Sequence, residues 1–139
     1  MIVPHQPERQ RRVLLVDDDE SIAGSLRAQL LTQGCLVDVA GESDLAETLM
    51  RASDYDVVLL DPYHTGGPGE DSGAFVDLAR QLQPRAYLIV LTEYASPPLA
   101  RAATERGVAA LLAKPQPVMV LSQFIATAAG ATSAVKERV

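Results

Sequence analysis

Four consecutive acids, Asp17, Asp18, Asp19 and Glu20, follow an apolar run at 13–16, and Asp61 follows another at 57–60. Thr92 stands at the end of a third run and Lys114 at the end of a fourth. Carboxylates gathered in one crevice repel one another, so such a cluster implies a hard cation held by oxygen ligands, most simply Mg²⁺. Asp17 and Asp18 suit that role. Asp19 and Glu20 better suit the start of a helix, where negative charge meets the positive end of the helix dipole. A hydroxyl and an ammonium on the same rim meet the needs of a transferred phosphoryl group: a donor and a positive charge for its oxygens, with a metal neutralising the rest. Asp61 is then the candidate nucleophile. No glycine-rich phosphate loop follows the first run, which argues against a bound nucleotide or flavin.

These residues need a scaffold that brings strand ends together. Apolar runs at 13–16, 36–40, 57–60, 86–91 and 108–113 alternate with segments of helical period. Five such βα units predict a parallel sheet covered on both faces, an open doubly wound three-layer α/β sandwich. Ligands in such sheets bind at the carboxyl ends of the strands, where the acids, Thr92 and Lys114 fall. Gly34 and Gly107 mark the ends of two helices. Ile22, Leu26 and Leu30 form the expected buried stripe of the first helix, Leu45, Leu49 and Ala52 that of the second, and Phe75, Leu78, Ala79 and Leu82 that of the third. The fourth helix, at 98–106, opens on Ser96-Pro97-Pro98 and has a weak stripe, so it should be the least firmly packed. In the fifth, at 117–129, Val118, Leu121, Ile125 and Ala128 share one side; Met119, Val120 and Phe124 lie partly off it, available to a partner.

The chain of 139 residues is 47% hydrophobic, enough for one layered core, and with 4% aromatics that core must be aliphatic. The expected organisation is a flexible arm at 1–11, one domain at 12–130 and a polar tail at 131–139. A net charge of −6 speaks against direct nucleic-acid or membrane binding, and Arg9, Arg11 and Arg12 read as a solvated arm. The single Cys35, in an apolar run, reads as a buried inert thiol. No apolar stretch approaches the roughly 20 residues that span a bilayer, and the N-terminus lacks a signal-peptide core, so a cytoplasmic protein is expected.

The segments VLLVDDDE, YDVVLLD, YLIVLT and ALLAKP, in that order, resemble the strand-end signatures of response-regulator receiver domains over about residues 12 to 130. The resemblance implies a flavodoxin-like sheet of order 2-1-3-4-5 and a phosphoprotein of two-component, phosphorelay signal transduction. It implies Asp61 as phosphoacceptor and metal ligand, with Asp18 binding Mg²⁺ directly, Asp17 acting largely through water, and the backbone carbonyl of Tyr63 completing the protein's share. Thr92 would bond the phosphoryl group and Lys114 would pair with it, across a cis Lys114-Pro115 bond. The donor would be a sensor histidine kinase or phosphotransfer protein, and the receiver would catalyse its own phosphorylation and dephosphorylation. A downstream protein, and pairing of two copies through the fourth helix, fifth strand and fifth helix, are also implied.

The chain departs from that pattern in places. After Asp61 it reads PYHTGGPGEDSG, longer than usual by about four residues and rich in glycine, which predicts a mobile loop; His64 within it reads as an exposed side chain. Pro62 restricts Asp61 to extended conformations. Glu93 stands where receivers place a small residue, and Leu111 where many place a switching aromatic, a part that Tyr94 could take over. Two other functions therefore stay open. One is a pseudo-receiver, an interaction module of the same fold not controlled by phosphate. The other is a phosphatase of the haloacid dehalogenase type, which Asp17-Asp18-Asp19 would suit but which needs an acidic motif after its lysine; beyond Lys114 only Glu137 remains.

Overall fold

The computed structural model describes residues 10–61, 72–93 and 95–137. Five strands, β1 (Arg12–Val16), β2 (Leu36–Ala40), β3 (Val57–Leu60), β4 (Tyr87–Thr92) and β5 (Ala110–Ala113), form one sheet of order β2-β1-β3-β4-β5. Every neighbouring pair is parallel. The helices between and after them are α1 (Glu20–Thr32), α2 (Ser43–Ala52), α3 (Ser72–Leu82), α4 (Pro97–Glu105) and α5 (Val118–Glu137). The flavodoxin-like arrangement inferred from resemblance is the one observed.

Successive side chains of a strand point to opposite faces, so each continuous apolar run feeds two cores. Val13, Leu15, Val57, Leu59, Ile89 and Leu91 pack with α1 and α5 on one face. Leu14, Val16, Val58, Leu60, Leu88 and Val90 pack with α2, α3 and α4 on the other. Cys35 is buried in the first core, where loss of water pushes its thiol above the usual range.

Helix ends follow local chemistry. Asp19 caps α1, its Oδ1 accepting the backbone N–H groups of Ser21 and Ile22 at 3.1 and 3.2 Å. Ser96 caps α4 by accepting the Leu99 N–H at 3.3 Å, with prolines in the first turn. Gly34 and Gly107 have φ of +84° and +85°, the left-handed conformation that ends a helix. Only Ala103 of α4 is buried, as its weak stripe predicts.

Some helical faces differ from expectation. In α1 Ala23, Leu26 and Leu30 are buried and Ile22 is exposed; in α2 Ala46 and Met50 are buried while Leu45 and Ala52 are exposed. In α3 Val76 and Ala79 are buried and Phe75, Leu78 and Leu82 only half-buried. Small and flexible side chains lie closest to the sheet, so the buried sector is rotated by about one residue from the bulkiest stripe.

The expected tail from residue 131 is instead helical as far as Glu137. Ser133 is buried there, and Lys136 donates to the Tyr55 carbonyl at 2.6 Å and to Asp54 at 3.0 Å. The segment Val118–Lys136 is also long and apolar enough to cross a membrane by length and composition, contrary to expectation. In the fold Leu121, Ile125 and Ala129 of this segment turn their apolar face to the sheet and α1.

Gly34→Ala is expected to cost about 1 kcal/mol in urea unfolding, from the positive φ alone. Gly107→Ala should cost more, because its new Cβ would lie 2.6 Å from the Arg80 Cδ. The raised pKa of Cys35 leaves little thiolate at mildly alkaline pH, so a thiol reagent should label the native protein slowly and the urea-unfolded protein at the rate of a free cysteine.

Candidate phosphoacceptor site at the strand ends

The sheet ladder continues one residue past the strands and thereby fixes where each functional side chain starts. The Asp17 N–H donates to the Ala40 carbonyl at 3.0 Å, the Asp61 N–H to Val16 at 3.0 Å, and the Lys114 N–H to Thr92 at 2.8 Å. Asp17, Asp61, Thr92 and Lys114 are therefore set out along one rim at the ends of β1, β3, β4 and β5.

The Lys114 ammonium donates directly to the Asp61 carboxylate, whose side chain is 2% exposed against 16% for the lysine. The Lys114-Pro115 bond is cis. A buried charge facing an opposite charge is tolerated where either alone would be strongly disfavoured. Asp17 is buried and accepts the Asp19 N–H on its Oδ1 at 2.9 Å, which closes the turn into α1. Asp18 is exposed, and Thr92 is buried at the end of β4. Asp19, expected to serve the helix start, does so as its cap.

The rim offers oxygen donors of the kind a hard cation takes. Asp17 and Asp61 end neighbouring strands, which lie about 4.8 Å apart in a sheet, and Asp18 adjoins them. Among the described residues no three acidic, histidine or cysteine side chains form a ligand cluster by themselves. An ion held here would complete its shell with water and backbone oxygen, as Mg²⁺ commonly does. Tyr63, whose carbonyl the resemblance places in that shell, lies outside the described residues, as do Pro62, His64, Tyr94 and the glycine-rich loop to residue 71.

A cleft of about 380 Å³, not foreseen from the sequence, opens beside the rim between α1 and α5. Ile22, Leu26, Leu91, Val118 and Leu121 form its apolar walls, and Asp17, Asp19, Glu93 and Lys114 its polar edge. The exposed position of Ile22 was the signal for it, legible only once the buried sector of α1 is known. Leu111 is half-buried and packs against the second core.

Residues 13–126 match the response regulator receiver domain family. The alginate biosynthesis transcriptional regulatory protein AlgB of Pseudomonas syringae pv. tomato is 33% identical over 109 residues, covering 78% of this chain and 23% of that protein. The chain thus spans under a quarter of the length of the curated relatives it matches. Among solved structures, a response regulator from Burkholderia pseudomallei with a phosphorylated aspartic acid, calcium ion and citrate is 29% identical. It superposes with a TM-score of 0.73 over 91% of this chain and 73% of that one. The beryllofluoride-activated NtrC4 receiver domain dimer is 32% identical, with a TM-score of 0.74 over 87% of this chain and 98% of that one.

Lys114→Met in metal-free buffer should lower unfolding free energy by about 3 kcal/mol, because it removes the ammonium that faces a buried carboxylate. Adding Asp61→Asn to that variant should restore much of the loss, whereas a double-variant loss equal to the sum of the two single-variant losses would show that the pair is not coupled.

Proposed function

The chain belongs to the response regulator receiver domain family, and on that footing we propose that it accepts a phosphoryl group on Asp61 and changes its partner-binding surface in response. The observation that carries this reading is the Lys114 ammonium seated on a buried Asp61 carboxylate at the rim where such sheets bind ligands. An Asp61 oxygen bonds to phosphorus as the bond from phosphorus to a histidine nitrogen of the donor breaks. The donor is a sensor histidine kinase or phosphotransfer protein. Lys114 then follows the new negative charge, and the Thr92 hydroxyl donates to a phosphoryl oxygen. Asp17, Asp18, Asp61 and the Tyr63 carbonyl would hold Mg²⁺, which supplies positive charge against the phosphoryl oxygens. Hydrolysis of the aspartyl phosphate resets the protein.

Movement of Thr92 and Lys114 toward the anion would bias an existing equilibrium in the elements that follow them. Helix α4, with a single buried residue, has little packing to oppose a shift. On α5, Met119, Val120 and Phe124 expose apolar surface that suits a downstream protein or a second copy of the chain. The isolation of one relative as a beryllofluoride-activated dimer supports the second choice. A cytoplasmic setting, where the kinase's phosphohistidine is presented, completes the reading.

A second reading, an interaction module indifferent to phosphate, draws on Glu93 at the polar edge and on the aliphatic Leu111. Among the described residues no feature of the site favours a phosphatase.

With Mg²⁺ and saturating acetyl phosphate, intact-mass measurement should show the gain of one phosphoryl group, absent in Asp61→Asn. A folded wild-type protein that gains nothing under these conditions would transfer the case to the phosphate-independent module.

A further inference from the structure

Glu93 directly follows Thr92, the last residue of β4, and its side chain is exposed. It lines the cleft beside the rim together with Asp17, Asp19 and Lys114. The other charged groups there have structural engagements. Lys114 is seated on Asp61, Asp17 accepts the Asp19 N–H, and Asp19 caps α1. Glu93 makes no hydrogen bond or ion pair among the described residues, so nothing in its contacts offsets its charge at the edge of the cleft that Lys114 also lines. A carboxylate held there acts at a distance on whatever negative group approaches Asp61, with a strength that falls as salt is added.

We propose that Glu93 is a specificity-determining residue that selects phosphodonors by charge, disfavouring small dianionic donors relative to donors of lower net charge. The inference rests on Asp61 being the phosphoacceptor. It concerns charge and not bulk, since repulsion scales with the charge of the incoming donor whereas steric hindrance does not. A protein-borne donor whose surface carries cations near the phosphohistidine would escape the penalty.

Two small donors separate these effects. Near neutral pH acetyl phosphate is a dianion; Asp61 bonds to its phosphorus as the bond to the acetyl oxygen breaks, and acetate leaves with the electron pair. Phosphoramidate carries one net negative charge; its phosphorus–nitrogen bond breaks and the already protonated nitrogen leaves as ammonia. Both donors use the same Mg²⁺-loaded site, so any influence of Glu93 on the cation cancels in the ratio of their rates.

In the full chain with Mg²⁺ at low ionic strength, the isosteric change Glu93→Gln should speed phosphorylation by acetyl phosphate roughly three- to tenfold. The acetyl phosphate to phosphoramidate rate ratio should rise roughly two- to threefold, and Glu93→Lys should raise it further. The gain should shrink at about 0.5 M salt, where screening is short-ranged. Glu105→Gln, the same change of net charge at an exposed position of α4, should leave the ratio as it is. An unchanged ratio in Glu93→Gln, or an equal gain with both donors, overturns the inference while leaving Asp61 as phosphoacceptor. A folded wild-type protein that takes phosphate from neither donor removes both.

Discussion

An ionised carboxylate with almost no contact with water is costly to keep unless a cation faces it, and the ammonium of Lys114 supplies that cation to Asp61. The two residues end β3 and β5, with β4 between them, so neither can satisfy the other until the sheet is complete. The dependence runs in both directions. The sheet gives each charge its position, and the pair makes a polar rim affordable at the edge of two apolar cores. On the reading that Asp61 is the phosphoacceptor, a positive charge already stands at the atom that would carry the incoming anion.

The opposite end of the sheet shows a different use of buried polarity. Gln83 is buried and bridges the Tyr55 N–H with the carbonyls of Met50 and Ser53 at 2.9, 2.8 and 2.7 Å. The Tyr55 hydroxyl donates to Asp38 at 2.6 Å, and burial with that bond pushes its pKa far up. Asp56, fully buried, accepts the Arg12 N–H at 2.9 Å and lies 3.4 Å from the Lys136 ammonium. Together these contacts tie the ends of α2, α3 and α5 to the starts of β1 and β3. Polar groups satisfied on several sides specify one arrangement and resist displacement.

Stability is thus distributed unevenly. The pole away from the rim is cross-linked by hydrogen bonds, whereas α4 and the outer face of α5 have few buried side chains to hold them. Elements that change position in a switch are drawn from the less stable part of a structure. That α4 and α5 flank β5, which ends at Lys114, places the yielding region next to the charge that would move.

The local features of this protein were legible in the amino-acid order. Apolar runs followed by Asp17, Asp61, Thr92 or Lys114, the Asp19 and Ser96 caps, and the glycines at 34 and 107 each depend on a few adjacent residues, and the structure has them as expected. Strand order came through resemblance, because periodicity alone does not say which strands are neighbours. What only the tertiary structure decided was non-local. The contact between Lys114 and Asp61 spans 53 residues, and that between Lys136 and Asp54 spans 82. The rotation that exposes Ile22, the cleft it lines and the continuation of α5 through 131–137 likewise follow from how whole elements pack. A helical stripe fixes the presence of a buried face but only to within about one residue its direction. The remainder is set by which side chains fill the space against the sheet, and that competition is settled between segments far apart in the chain.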